Sequence, residues 1–426
     1  MQRQEELKIW YTLYGRLLDV GAFEKAFKKV KSAKGAPGID GQSIKGFAGN
    51  LLKNLTCLVD ELKDKSYQPF PVKRVEIPKP DGGVRKLGIP TVRDRVVQQV
   101  LLDILTPIYD PHFHPSSYGY RPGKGCHTAI SKASMFLRKY ELEFVVDMDL
   151  SKCFDILKHD FLMRQIRRKV TDGSILNLIN LFLKSGVMVG NELIETEEGS
   201  PQGGVISPLL ANIYLDYFDQ WTMSRGYRIV RYADDLLFAS SRKGAERRLE
   251  ASSKVLEDEM GLVINRKKTS ITTLNEGVSY LGVVMHSTYT SIQEKKLRAF
   301  KAKVKAVTRR NVPVNLRKII KDLNPLLRGF ANYFRVANCT GVFRDLMSWT
   351  RRRLRAIQLK QWKKPAKLHR RLRQLGYNGD FKKIKMSSWC SARSPLASLA
   401  MPNRYFTDIG LFDMKLVKTG HSVPVI

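Results

Sequence analysis

The sequence RIVRYADDLLFA, at residues 228–239, places two adjacent acids, Asp234 and Asp235, between two apolar, β-prone runs. This pattern predicts a β-hairpin whose tight turn carries the acidic pair. Aspartate is also common in solvated surface turns, so the dipeptide alone favours an ordinary turn over a metal site. Both flanking runs, however, are too apolar for a surface ribbon, which indicates that the turn emerges from a packed sheet.

A second acidic stretch, FVVDMDL at residues 144–150, complements the first. Asp147 and Asp149 are two residues apart, so in a strand they point to the same face. Buried carboxylates require a partner, a proton or a metal. A carboxylate here and the pair at the hairpin turn suit two Mg²⁺ ions, which prefer oxygen ligands. Two such ions, about 4 Å apart, stabilise the attacking and leaving oxygens of a phosphoryl displacement, the chemistry of nucleotide addition.

Length and charge restrict the class of protein. A chain of 426 residues is long enough for two or three domains, and its net charge of +34 implies a polyanionic partner. Nucleic acid is the simplest such partner, and an anionic membrane surface is the competing interpretation. No apolar run of about 18 residues is present, so we expect no membrane-spanning helix. The five cysteines are far apart, which predicts neither disulfides nor a zinc site and favours the reducing cytoplasm.

The positive charge is concentrated in the last third of the chain. Residues 291–426 hold 32 Lys and Arg against 6 acids, whereas residues 1–290 hold 42 against 34. This shift predicts a domain boundary near residue 290. Residues 351–373 contain 11 Lys and Arg and no acid, which favours a phosphate-contacting surface over a merely solvated face. Its candidate nucleic-acid-binding residues are Arg351, Arg352, Arg355, Lys363 and Arg370.

Several motifs occur together in a characteristic order. They are the acidic strand and its continuation to residue 155, SPQGG at 200–204, SPLLAN at 207–212, YADD at 232–235 and LNPLLRGFANYF at 323–334. From about residue 35 to about residue 375, the set resembles the reverse transcriptases/maturases encoded by group II introns. The resemblance implies an α+β right-hand polymerase fold. Fingers and palm would occupy residues 1–290, a helical thumb or maturase domain 291–375, and a basic nucleic-acid-binding extension 376–426.

The same resemblance implies roles for individual residues. Asp149, Asp234 and Asp235 would be catalytic and, with Leu150, would form the site of two Mg²⁺ ions, leaving Asp147 structural. The nucleotide would be bound by a set drawn from separate segments: Lys79, Arg85, Phe154, Gln202 and Lys268. Phe154 would select deoxynucleotides by excluding a ribose 2′-hydroxyl, and Lys268 would protonate the departing pyrophosphate. Plainer interpretations are an ordinary basic hairpin at residues 72–90, a core aromatic at Phe154 and a solvated lysine at Lys268.

The predicted activity is therefore RNA-directed DNA synthesis, combined with binding of the parent intron RNA to assist splicing. The implied partners are template RNA, a DNA primer, dNTPs, group II intron RNA and a DNA target. A membrane is not among them. No Cys/His cluster typical of an HNH endonuclease follows the thumb, so the resemblance is to the lineages that lack one. Two alternatives remain open: a domesticated reverse transcriptase used in DNA repair or phage defence, and a non-catalytic RNA-binding splicing factor.

Overall fold

The chain forms two compact units, Met1–Thr272 and Thr273–Ile426. The computed structural model describes residues 8–78, 83–151, 153–190, 192–200, 203–232, 235–311, 313–379 and 395–420, with the backbone alone for residues 235–240 and 395. The shift in composition near residue 290 lies inside the second unit, whose first strands precede it.

The first unit combines helices with two sheets. The helices are α1 (Tyr14–Leu17), α2 (Val20–Ser32), α3 (Ile44–Gly49), α4 (Leu51–Lys63), α5 (Val92–Tyr109), α6 (Cys126–Arg138), α7 (His159–Arg167), α8 (Gly173–Leu183), α9 (Ser207–Ser224) and α10 (Arg242–Lys254). The strands are β1 (Val72–Pro78), β2 (Val84–Ile89), β3 (Phe144–Ser151), β4 (Val187–Val189), β5 (Glu192–Ile194), β6 (Arg228–Tyr232), β7 (Asp235–Ser240), β8 (Val263–Ile264) and β9 (Ser270–Thr273).

The strands of the first unit form two separate sheets. One has the order β2-β1-β4-β5, and its β1–β2 pair is the antiparallel hairpin expected at residues 72–90. The other has the order β6-β7-β3-β8, with β9 also paired to β3. Strand β3 is therefore internal, with a neighbouring strand on each side.

Helix α5 lies in the centre of the first unit's hydrophobic core. Its apolar residues recur at helical spacing, and Val96, Val97 and Leu101 are fully buried. The helix begins after Thr91, whose side chain accepts a hydrogen bond from the backbone of Asp94. The buried Asp94 carboxylate in turn accepts hydrogen bonds from Tyr67 Oη and Thr91 Oγ1, both at 2.6 Å. Each fully buried Val or Leu contributes about 1.5–3 kcal/mol, so this helix holds the unit together.

The second unit consists of a short antiparallel sheet and helices. The strands are β10 (Val278–Tyr280), β11 (Val283–Met285) and β12 (Thr290–Ile292), and the helices are α11 (Glu294–Val307), α12 (Leu316–Phe334), α13 (Thr340–Trp362), α14 (Pro365–Gln374), α15 (Pro395–Ala400) and α16 (Asn403–Asp408). Phe300 of α11 stacks on Phe330 of α12, with ring centroids 3.9 Å apart. The aromatic residues of these helices therefore form the centre of this unit's own core.

The segment 395–420 packs into the second unit. Phe406 and Met414 are fully buried, and the Asn324 side chain bonds Gly410 O at 2.7 Å and the backbone nitrogen of Phe412 at 2.9 Å. These contacts make the described part of the predicted basic extension a component of the folded unit. Any nucleic-acid contact by residues 376–426 remains a prediction.

The predicted secondary structure agrees with the structure at most of the elements that carry the motifs. The α+β class is confirmed, and β6 and β7 form the predicted hairpin, but Asp235 lies in β7, paired with Tyr232, and not in the turn as expected. Helix α12 continues through Pro325, and Trp10, near the N-terminus, forms a β-bridge with Val170. No helix in the described part of the chain is both long and apolar enough to span a membrane.

Candidate active site

The two acidic segments meet in one sheet. In the antiparallel pairing of β3 with β7, Asp149 lies directly opposite Asp235, and in the pairing of β6 with β7, Tyr232 lies opposite Asp235. Directly opposed residues have Cβ atoms about 4.5–5.5 Å apart. Asp234 lies outside the described residues. The register thus brings one acid of the hairpin next to the strand that carries Asp149.

Asp149 has two polar neighbours from the turn that follows β8. Its Oδ2 accepts a hydrogen bond from Asn265 Nδ2 at 3.0 Å and lies 3.2 Å from Lys268 Nζ. The backbone nitrogen of Asn265 also bonds Asp149 O at 2.8 Å. The Lys268 side chain is 65% exposed and that of Asp149 26%, so this ion pair is at the surface. Asn265 was not predicted, because nothing in its local sequence indicates a partner in β3.

Asp147 lies on the same face of β3 as Asp149, as predicted. Burial, and secondly the nearby Asp149 carboxylate, raises the pKa of Asp147 to about 6. The next residue after Asp149, Leu150, has a buried side chain, so only its backbone oxygen is chemically suited to a cation.

The donor set suits a hard divalent cation, because carboxylate oxygens are the ligands that such ions prefer. Asp149 and Asp235 lie on adjacent strands and are directly paired in the backbone register. Among the side chains that the structure describes, no group of three or more His, Cys, Asp or Glu forms a ligand cluster. Asp234 and the side chain of Asp235 are not among them, so the expected three-acid site is neither confirmed nor contradicted.

A buried ion-pair network fixes the strand that leads into the acidic turn. Arg231 of β6 is fully buried, and its Nε lies 3.0 Å from both carboxylate oxygens of Asp219 on α9. Its Nη1 donates to Asn212 Oδ1 at 3.1 Å and its Nη2 to Ser117 Oγ at 2.8 Å. These bonds attach β6, one residue before Tyr232, to the helix and loop behind it. No local pattern around Arg231 predicted that this arginine is buried, unlike most arginines.

Phe154 lies in a short 3₁₀ turn, Cys153–Asp155, just after β3. Its ring is half-buried and meets the ring of Tyr120 edge to face, with centroids 6.4 Å apart and an interplanar angle of 84°. Tyr120 is 61% exposed and has a φ of +56°, a region that non-glycine residues seldom adopt. Arg121 holds this loop through hydrogen bonds to Asp110 Oδ1 at 2.7 Å and to the loop's own carbonyls.

The segment 198–205, which contains Gln202, is attached to the same turn. Ser200 N donates to Phe154 O at 2.7 Å, and Gly199 O lies 2.7 Å from Nε2 of the buried His159. Further along, Val205 N donates to Oε1 of the buried Gln98 at 2.7 Å. Gly203, with a φ of +120°, passes so close to β2 that a Cβ there would lie 2.3 Å from Gly88 O, which requires glycine. Neither His159 nor Gln98 was predicted.

The other predicted nucleotide-binding residues are placed only in part. Arg85 lies on β2, opposite Ile77 of β1, and its side chain is exposed. A cation that binds a ligand from solvent must be exposed in this way. Lys79 and Gln202 lie outside the described residues. Their roles, and that of Lys268, stay predictions.

The five cations predicted on the second unit do not share one environment. Arg351 is 3% exposed, and its Nη2 lies 2.6 Å from Asp413 Oδ2, so its expected place on an exposed phosphate-contacting surface is wrong. Arg355 is half-buried and donates to Met401 O at 2.9 Å. Arg352, Lys363 and Arg370 are exposed, as predicted. An acid that lies 62 residues away in sequence explains the burial of Arg351.

Comparisons with known proteins identify both units. A model of the reverse transcriptase (RNA-dependent DNA polymerase) family matches residues 77–285, and one of the group II intron maturase-specific domain matches residues 297–376. Protein YkfC of Escherichia coli is 34% identical over 327 residues, 65% of this chain and 85% of YkfC. The group II intron-encoded protein LtrA of Lactococcus lactis is 36% identical over 220 residues, 51% of this chain. The matched region covers only 36% of LtrA.

Proposed function

This chain belongs to the group II intron-encoded reverse transcriptases and maturases, and we propose that it copies RNA into DNA with Asp149, Asp234 and Asp235 as its catalytic acids. Reverse transcriptases use divalent metal ions, and the proposal assigns two Mg²⁺ ions to these acids and the backbone oxygen of Leu150. The observation that carries the proposal is the register that pairs Asp149 with Asp235. Bound there, two Mg²⁺ ions stabilise charge on the attacking and leaving oxygens.

The residues around the acids support roles in orienting the reactants. The ammonium of Lys268 lies 3.2 Å from Asp149 Oδ2, so its proton is available beside the reacting phosphates. Asn265 holds the same carboxylate oxygen and limits its rotation. The half-buried ring of Phe154 lies in the turn that follows β3, the strand of Asp149. We assign this ring to contact with the sugar of the incoming dNTP. Lys79, Arg85 and Gln202 are assigned to its phosphates and sugar.

We assign RNA binding to the second unit. Its maturase-specific match and its net charge of +26 over residues 291–426 support binding of template RNA and of the parent intron RNA. The exposed Arg352, Lys363 and Arg370 are the phosphate contacts that this proposal retains. Assisting intron splicing and acting on a DNA target are parts of the same proposal.

Primer extension tests the enzymatic part. Purified protein, an RNA template with an annealed DNA primer, dNTPs and Mg²⁺ should give template-length DNA, and a chelator should abolish it. A protein that binds the duplex tightly yet extends no primer over a range of Mg²⁺ concentrations would support the non-catalytic splicing factor instead.

Filter binding tests the intron-related part. The protein should bind a group II intron RNA more tightly than an unrelated structured RNA of equal length at physiological salt. Equal affinities, combined with active primer extension, would favour a domesticated reverse transcriptase without an intron partner.

A further inference from the structure

We propose that Gln98 and His159 are positioning residues that hold the two described flanks of the segment 199–205, and that they thereby set nucleotide affinity and sugar selectivity. This inference rests on the proposed function, because it acts through Phe154. Neither residue belongs to the set predicted from the sequence, and each contacts a backbone atom of the segment from a separate helix.

His159 holds the first flank. The ring is 7% exposed at the start of α7, and Nε2 lies 2.7 Å from Gly199 O. A carbonyl oxygen only accepts, so Nε2 must carry the hydrogen of this bond. Nδ1 is buried and has no hydrogen-bond partner. A buried polar atom without a partner lowers stability, so an apolar side chain would suit the core of this unit better. The hydrogen bond to Gly199 O is what the imidazole of His159 provides and an apolar side chain would not.

Gln98 holds the second flank. Its side chain is 5% exposed on α5, the central helix of the first unit, and Oε1 accepts from Val205 N at 2.7 Å. A buried amide on a well-packed helix has few rotamers, so the bond fixes Val205 relative to the core. The two anchoring residues belong to different helices, Gln98 to α5 and His159 to α7. The two described flanks of the segment are therefore held from separate elements.

The anchored segment connects directly to the turn that carries Phe154. Ser200 N donates to Phe154 O at 2.7 Å, and Gly199 N donates to Leu157 O at 2.8 Å. A Cβ at Gly199, whose φ is +86°, would lie 2.7 Å from Asp155 O, so backbone packs against backbone here. If His159 no longer held Gly199, the Phe154 turn would lose part of its support. The ring assigned to sugar selection would then be less well fixed.

The expected kinetic signature is a loss of nucleotide affinity with little change in the chemical step. The anchors hold backbone in the nucleotide-binding region, whereas the acids are held by sheet pairing and by the Asn265 contact. Losing one buried hydrogen bond should raise KM for dNTP by about tenfold. The kcat should change by no more than about threefold, because a poorly held segment should weaken binding of nucleotide equally in the ground state and in the transition state.

The test uses matched variants of the full chain in primer extension. His159→Leu and Gln98→Met remove the polar contacts while keeping apolar bulk, and His159→Gln restores a donor near the position of Nε2. We expect a raised KM and a lower dNTP-to-rNTP selectivity in the first two, and recovery of both in His159→Gln. Phe161→Leu, on the same helix α7, is the control for loss of packing alone, since Phe161 contacts Tyr214 and Tyr217.

A double variant separates a shared segment from general damage. If both residues hold the same segment, His159→Leu combined with Gln98→Met should raise KM by less than the product of the single effects. Multiplicative effects, or an equal rise in KM in Phe161→Leu, would overturn the proposal. So would failure of His159→Gln to restore KM while its thermal unfolding matches that of the parent chain.

Phe154→Val distinguishes this inference from the proposed function. If Phe154→Val changes sugar selectivity but His159→Leu and Gln98→Met do not, the anchoring role is wrong and the nucleotide site stands. If Phe154→Val leaves selectivity unchanged, the role assigned to that ring is wrong, and the KM of the anchor variants alone decides whether the segment holds nucleotide.

Discussion

The two units of the molecule differ in how many acids are available to their cations. In the first unit, Arg231 is paired with Asp219 and the partly buried Arg93 with Glu61, whereas the buried Arg95 donates to the carbonyl oxygens of Thr91 and Ala36. In the second unit, acids are scarce: the buried Arg351 is paired with Asp413, whereas the partly buried Arg353 and Arg355 use neutral acceptors. Arg353 donates to Thr308 Oγ1 at 2.7 Å and to Thr308 O at 2.8 Å, and Arg355 donates to Met401 O.

The difference teaches that a count of cations does not identify a binding surface. Residues 291–426 carry 32 Lys and Arg, and some of these, such as Arg351, are internal parts of the fold. In the first unit, by contrast, the residues assigned to chemistry are few and are placed by strand register. Substitutions there should act on catalysis or on stability, whereas substitutions of exposed cations in the second unit should act on affinity for nucleic acid.

Substituting the proposed catalytic acids should give the largest difference between an effect on catalysis and an effect on RNA affinity. Asp149→Ala or Asp235→Ala should lower primer extension by at least about a thousandfold, because two-metal sites depend on each carboxylate. RNA affinity should change by less than about threefold, since phosphate contacts dominate it. Single-turnover extension and filter binding measure the two effects. Glu250→Ala, which removes an exposed carboxylate of the same unit, is the control, and near-normal extension by Asp149→Ala would remove that residue from the site.

The buried ion pair tests how strictly the first unit depends on paired charge. Arg231→Met should lower the free energy of unfolding by about 3–5 kcal/mol, because it leaves the Asp219 carboxylate buried without its cation. Urea unfolding of the full chain measures this loss. The double variant Arg231→Met with Asp219→Leu should recover a large part of it, and a double variant as unstable as the single one would show that the network matters for more than charge pairing.

A titrating carboxylate beside that network adds a pH dependence to the first unit. Burial, and secondly the nearby Asp219, raises the pKa of Asp216 to about 6. Folding thus favours the protonated form of Asp216. Its contribution to the free energy of unfolding is present at low pH and is lost as pH rises through about 6. Asp216→Asn should remove this loss. Between pH 5 and pH 8, its free energy of unfolding should therefore exceed that of the parent chain by up to about 3 kcal/mol. Equal pH profiles of urea unfolding in the two proteins would contradict it.

The exposed cations of the second unit should show the opposite behaviour, with affinity affected and catalysis spared. Replacing Arg352, Lys363 and Arg370 with Gln should reduce the log–log salt dependence of RNA binding by about 2–3 units if each contacts a phosphate. Extension at saturating template should change little. Arg355→Gln is the matched control, because its guanidinium already bonds Met401 O and should influence packing more than the slope. An unchanged slope in the triple variant would place the RNA contacts elsewhere.

The smallest expected effect concerns a neutral side chain of the first unit. Phe154→Val should lower the preference for dNTP over rNTP by about tenfold, since less bulk remains to clash with a 2′-hydroxyl. The ratio of kcat/KM for the two substrates measures it. An unchanged ratio would return Phe154 to the core, where its edge-to-face contact with Tyr120 would be its role.

Local patterns predicted the elements of this fold well, whereas contacts between distant residues could not be predicted. Alternation and apolar runs predicted β3, β6 and β7, because these depend on neighbouring residues. The polar contacts around the site join residues 40, 107 and 116 positions apart, as for His159, Gln98 and Asn265. A single His, Gln or Asn in an ordinary helix or turn gives no sequence signal of such a partner. Lys79, Gln202 and Asp234 stay predictions, since they lie outside the described part of the chain.

The docked segment 395–420 affects the order in which the protein is made and folded. The first unit has emerged from the ribosome long before this segment, so it can fold during synthesis. The second unit cannot complete its core until Phe406 and Met414 have been translated, and its backbone contact from Gly420 to Arg335 O forms later still. Premature termination before residue 395 would therefore release a chain with a complete first unit and an exposed apolar face, which proteases and chaperones would recognise.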